Sequence, residues 1–245
     1  MNASTKPMPI LVLCLGMVIP TLITWIYFDL LASSPAMAQK IAYAAGKLSQ
    51  VGIMLIAYWL WRQRSKNSPD KQALLGKPVC MRWISLGAVS GIAIGLAAIA
   101  IFQWVLLPLG VMESVKLEAK TKLQSLGADS PTVLLAIALF YSLIHSGFEE
   151  FYWRGFVFRG LKEHMSAVVS VCLSSLGFMS HHILVLGKFF GYDSIMTYLL
   201  ALSVAIGGMI WALMYHRFGN LIPGWISHAI VDAAIFVIGY ILVFA

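Results

Sequence analysis

Charge is what this chain has least of. Only 11% of its 245 residues are Asp, Glu, Lys or Arg, while 60% are hydrophobic. An ordinary soluble domain carries roughly 25% charged residues. So little polar surface cannot coat a body of this size in water, which excludes a soluble globular enzyme, a disordered chain and a nucleic-acid module. Cysteine is also scarce. Cys14, Cys80 and Cys172 lie far apart with no C-x-x-C spacing. That excludes a disulfide framework and a zinc knuckle and predicts three free thiols. No internal repeat, low-complexity tract or second domain is visible.

What the chain has instead is long apolar runs. A helix needs roughly 20 mostly apolar residues to cross the hydrocarbon core. Segments of that kind cover about 8–32, 41–61, 82–108, 131–148 running on toward 160, 166–187, 194–215 and 221–244. The expected fold class is all-α, a polytopic integral membrane protein with about seven spans, between six and eight. Eleven of the 17 Lys and Arg fall at one side, namely Lys6, six in the loop at 62–82, Arg154, Arg159, Lys162 and Arg217. The excess of cations in cytoplasmic loops then puts the N-terminus in the cytoplasm. The net charge of +7 is read as this loop charge, not as a nucleic-acid patch.

Several segments carry secondary signals. In 109–130, Glu113, Lys116, Glu118, Lys120 and Lys122 recur three and four apart around Val115, Leu117 and Leu123. This is the pattern of a short amphipathic helix at the outer surface, or of a solvated connector. Gly87, Gly91 and Gly95 let another helix approach closely. Packing within a monomer is the expected use, and a dimer face is the other. Lys6, the first apolar run and Ala36-Met37-Ala38 resemble a signal peptide. The run is longer than such a core and contains Asp29, so retention of residues 1–38 is expected. The chain divides into N-terminal helices, basic loop and connector over 1–130 and a polar-bearing core over 131–245, within one membrane domain.

Ionisable residues inside a span are expensive and mark functional sites. Here they gather on three spans: Glu149, Glu150 and Arg154, then His181 and His182, then His228 and Asp232. His145 lies one turn before Glu149. On a helix, residues four apart share a face. Glu150 and Arg154 are therefore expected to pair, leaving Glu149 unpaired and suited to general-base work. The bland reading leaves both glutamates among headgroups at the span end. His228 and Asp232 are also four apart, so the carboxylate can orient the imidazole. His181 and His182 face different directions, so one of them at most is expected at a shared site. There is no H-E-x-x-H and no G-x-S-x-G, and Asp232 lacks a second aspartate within the spans, since Asp29 sits near a span end.

These elements together resemble the CPBP family, the CAAX type II and bacteriocin-processing intramembrane proteases, also called Abi. The E-E-x-x-x-R motif is matched by Glu149, Glu150 and Arg154. F-x-x-x-H is matched by Phe178 and His182, and H-x-x-x-N/D by His228 and Asp232. The three lie in order over about 131–240.

The resemblance implies an eight-helix or similar membrane fold and endopeptidase activity on a membrane-associated or lipidated protein or peptide. It implies that Glu149 and His182 activate a water, that His228 and residue 232 stabilise the oxyanion, and that Glu150 and Arg154 support them. The third motif often ends in Asn, whereas an ionised Asp232 can only accept a hydrogen bond. Asp232 is then left to orient His228 or to ligate a metal. Members of the family have been described as metalloproteases and as metal-independent glutamate proteases. The expectation here is no cofactor, with zinc on Glu149, His182 and His228 as the alternative. The expected partners are a substrate and the bilayer, without nucleic acid. Short length suggests a bacterial inner membrane, with the site toward the cytoplasm.

Two other functions compete: a proton- or ion-coupled transporter, and a non-catalytic immunity or scaffold protein. Helix rise also sets a tension. At about 1.5 Å per residue, His228 lies roughly 10–14 Å deep and His182 roughly 24 Å deep.

Overall fold

The computed structural model describes residues 7–64, 77–125 and 130–244. Eight helices carry almost all of them: α1 Ile10–Leu30, α2 Ala36–Arg64, α3 Met81–Leu106, α4 Met112–Ser125, α5 Pro131–Leu161, α6 Ala167–Phe190, α7 Ile195–Phe218 and α8 Ile222–Phe244. Six of these are long and apolar enough to cross a membrane, all except α2 and α4. The chain is an integral membrane protein.

The segment 41–61 is helical as expected, but α2 is more polar than the other long helices. It carries Gln39, Lys40, Lys47, Ser49 and Gln50. It is therefore not among the six apolar spans. Outward apolar side chains such as Leu11, Val89, Ile92 and Leu96 are exposed, as a lipid-facing wall requires. Lys6, Lys66 and Lys71 lie outside the described residues, as do the side chains of Arg62 and Arg64.

Caps set the helix starts. Ser130, Ser166 and Ser194 each accept a backbone N–H of the following first turn, and Pro131 occupies the first position of α5. Asn220 does the same for α8 by accepting from Ile222 N, and its amide donates to Lys77 O. The α7–α8 turn needs Gly219 at φ 65°.

This turn is buried. Asn220 and Leu221 are 3% exposed, and Pro223 and Gly224 are buried, so α8 begins beneath the surface of the bundle. His228, two turns on, is itself 3% exposed in the interior of the bundle.

The glycine strip of α3 packs on α8. A Cβ at Gly91 would meet the Ser227 carbonyl oxygen at 2.7 Å, and one at Gly95 would meet Ala234 Cβ at 3.1 Å. A Cβ at Gly87 would collide with Pro223 O. That face is filled from within the chain.

On the other side, α1 packs against α5 and α6. Tyr152 donates to Gly16 O at 2.6 Å, and the Thr21 and Ser180 hydroxyls share a hydrogen bond of 2.6 Å. The N-terminal part thus builds the wall of the core.

Helix α4 buries Met112 and Val115 against Phe102, Leu106 and Leu242 and leaves Leu117 exposed. At the same end, Tyr192 donates to the Asp29 carboxylate. Its partial burial and that carboxylate push the Tyr192 hydroxyl up to about 12, so it stays a donor at neutral pH.

Candidate active site

Helix α5 is not uniform. Its backbone widens to i→i+5 bonding over Phe140–His145 and again over Phe151–Phe158, on either side of Ser146–Glu150. Such widened turns are frequent at functional sites, although α1 and α3 also end in one, at Ile26–Leu30 and Phe102–Leu106. Here they flank the two adjacent glutamates.

Glu150 and Arg154 are 1% and 2% exposed, with Arg154 Nη1 3.0 Å from Glu150 Oε1. Neither sits among headgroups. Arg154 Nη2 donates to Gly208 O on α7 at 3.0 Å. Its guanidinium lies 4.9 Å from the Phe178 ring centroid and 5.1 Å from that of Trp211. Arg154, counted above with the loop cations, is a core residue.

Glu150 has a second partner that sequence reasoning missed. Glu150 Oε1 lies 3.0 Å from His228 Nδ1. A carboxylate accepts, so Nδ1 carries the proton. The imidazole also stacks on Trp211, with ring centroids 4.0 Å apart and planes at 15°. Trp211 in turn donates to Ser227 Oγ at 2.9 Å. Glu150 and Trp211 therefore orient His228, a role expected of Asp232. Asp232 Oδ1 stands 3.6 Å from His228 Nε2, beyond a direct hydrogen bond.

Glu149 points the other way. Its Oε1 lies 3.3 Å from His145 Nε2 and 3.5 Å from His181 Nε2, and its Oε2 lies 3.7 Å from His228 Nε2. The contact with His181 departs from the expectation that His182 alone meets Glu149. His181 Nδ1 is buried without a partner, which fits the tautomer with its proton on Nε2 facing Glu149.

His182 makes no ion pair with a carboxylate. Its Nδ1 donates to Phe178 O at 2.9 Å, so Nε2 of the neutral ring keeps a lone pair. The His182 ring lies 4.2 Å from that of His181 and 4.6 Å from that of Phe178. Phe178 also touches His228, at 5.9 Å. Both histidines of the adjacent pair therefore border one cluster.

Four of the six histidines and three of the ten acidic residues meet here. Of the residues sequence reasoning left aside, His145 carries the same four-residue spacing to Glu149 that flags His228 and Asp232. Trp211 carries no signal, being one apolar aromatic among many.

The Glu149 side opens into a cavity of about 330 Å³ between α1, α2 and α5, lined by Pro20, Tyr43, Lys47, His145, Glu149 and His181 among others. A second, apolar cavity of about 670 Å³ lies between α5 and α8, along Leu135, Leu139, Ala233 and Phe236.

Among the described residues, no three His, Cys, Asp or Glu side chains share one point at metal-ligand reach. Glu149, His182 and His228 do not fit such a trio as they stand. Residues 131–234 match the family described as type II CAAX prenyl endopeptidase, Rce1-like. No curated protein and no solved structure matches the chain.

Proposed function

We infer that this chain, an integral membrane protein whose residues 131–234 match the Rce1-like type II CAAX prenyl endopeptidase family, hydrolyses a peptide bond of a membrane-associated or lipidated protein or peptide. One observation carries the reading: Glu149 faces a cavity while three imidazoles surround its carboxylate. That arrangement suits a general base held in place beside donors for developing negative charge.

In the proposed reaction, a water lies between Glu149 and the lone pair of His182 Nε2. Glu149 removes one proton as the water oxygen bonds to the peptide carbonyl carbon. His228, protonated on both nitrogens, donates from Nδ1 to Glu150 and from Nε2 to the oxyanion. Asp232 and Glu149 flank that Nε2 and favour its proton. The tetrahedral intermediate then collapses. Its C–N bond breaks, and the nitrogen takes the proton held by Glu149 and leaves as the amine. The remaining proton of the former water then passes to the freed Glu149 carboxylate and on to solvent, so that the other product leaves as a carboxylate. Glu150 and Arg154 hold His228 from behind. No step in this proposal uses a metal.

The supporting experiment is cleavage of a membrane-anchored reporter by purified protein in nanodiscs. Glu149→Gln and His228→Ala abolish cleavage while expression and Tm persist. Normal cleavage by both variants overturns the reading. Cleavage is expected to survive exhaustive chelation. A stoichiometric zinc whose removal ends activity overturns the metal-free route.

We further place the chain in a bacterial inner membrane with its N-terminus and active site toward the cytoplasm. The distribution of loop cations supports this orientation.

A further inference from the structure

The cavity beside Glu149 contains a cation that the reaction above does not use. Lys47 lies eleven residues into α2, about 16 Å from its start at the rise of a helix. It is half-buried and lines the cavity together with Glu149, His145 and His181. The site carboxylates pair with histidines and with Arg154, none with Lys47. The Lys47 Nζ lies 5.6 Å from the Tyr43 ring centroid, and its charge faces Glu149 and His181 across the cavity without closing to an ion pair with that carboxylate. A half-buried ammonium with no carboxylate at ion-pair distance keeps N–H donors for a ligand that enters the cavity.

A second observation points the same way. The Tyr43 hydroxyl, on the same cavity wall, shares a 2.9 Å hydrogen bond with the Tyr141 hydroxyl of α5. Only one of the two protons is spent in that bond. The other O–H is left to donate to an acceptor. A compact cation and a free phenol donor one helical turn apart form an anion-binding pair.

We propose that Lys47 and the Tyr43–Tyr141 hydroxyl pair hold a carboxylate of the peptide substrate and so set which bond lies beside Glu149. This rests on the endopeptidase reading. The carboxylate comes either from the C-terminus of the substrate or from an acidic side chain, and the two sources share this chemistry. Lysine here is a specificity residue, with no part in the proton transfers.

The test measures binding and cleavage separately, on full-length protein in nanodiscs. The probes are pools of short hydrophobic peptides made with a free C-terminal carboxylate or as the amide, each with an internal Asp or Asn. Competition binding is expected to favour the carboxylate-bearing member of one comparison by about tenfold to a hundredfold, the range of a charge-assisted hydrogen bond. Acid over amide identifies the C-terminus, and Asp over Asn identifies the side chain. Lys47→Met erases that preference and Lys47→Arg keeps most of it, with Tm of both variants confirming a folded bundle. Equal binding of all pools, including no binding of any, overturns the inference. So does a preference that survives in Lys47→Met. If the preference is present and depends on Lys47 but no peptide is cut, the endopeptidase reading fails while the anion site stands.

Discussion

Adjacent glutamates do opposite work because their surroundings differ. Glu150, 1% exposed, touches Arg154 and His228, while Glu149, 14% exposed, faces the cavity and three imidazoles. Substituting Glu150 leaves the Arg154 charge buried without its partner. That costs about 3–5 kcal/mol where a buried pair loses one member. Glu150→Gln is therefore expected to lower Tm in detergent sharply and to free the His228 ring. Glu149→Gln removes activity and leaves Tm within a few degrees. A Tm loss of equal size in both variants contradicts this division of roles. The two histidines divide similarly. His181→Ala removes a donor to Glu149, and His182→Ala removes the imidazole lone pair assigned to the proposed water. The His182 variant is expected to lose more kcat in reporter cleavage. The Glu150–Arg154 pair was legible in the sequence because it is local, four residues apart on one helix. The Glu150–His228 bond and the Trp211 stack were not, since they join residues 78 and 17 positions apart that only packing brings together.

At the scale of elements, long apolar runs announce helices, but they do not say where each helix begins in space. The first turn of α8 is buried, held by Asn220 and Lys77, and nothing in its apolar run announces this. Nor does composition reveal the widened turns of α5, which arise as its backbone passes the site. The glycine strip was legible as a close-approach surface, and its partner is α8. Gly91 faces backbone, with Ser227 O at 2.7 Å and Ser227 Cα at 2.9 Å from an added Cβ, and neither can rotate away. Gly91→Val must push α3 from α8. Overpacking of this kind costs about 1–3 kcal/mol, and Ser227 immediately precedes His228. The variant should lose both Tm and cleavage. Gly52 of α2 is the contrast, because an added Cβ there meets nothing within 4 Å. Gly52→Ala should be neutral or gain up to about 1 kcal/mol from helix propensity. A destabilised Gly52→Ala beside an unchanged Gly91→Val would overturn the packing argument.

For the molecule as a whole, the scarcity of charge sorts the chain into two populations. One is the small set drawn into the core. The other is the loop cations; Arg154 leaves it on one side and Lys47, which lines the Glu149 cavity, leaves it on the other, so ten of the original eleven remain against five opposite. The bias still favours a cytoplasmic N-terminus, since Lys and Arg in short loops decide orientation. It also has a direct readout. Cys80 is exposed at the start of α3, on the cation-rich side, and Asp193 is exposed in the turn between α6 and α7, on the other. With Cys14 and Cys172 changed to Ser, a membrane-impermeant maleimide should label Cys80 only in inverted vesicles. A second protein, with Cys80→Ser and Asp193→Cys, should label only in right-side-out cells. The reversed pattern places the Glu149 cavity toward the opposite compartment. The substrate would then have to reach it from outside. Cys80 labels from one face because α3 separates it from the other by 26 residues of apolar helix.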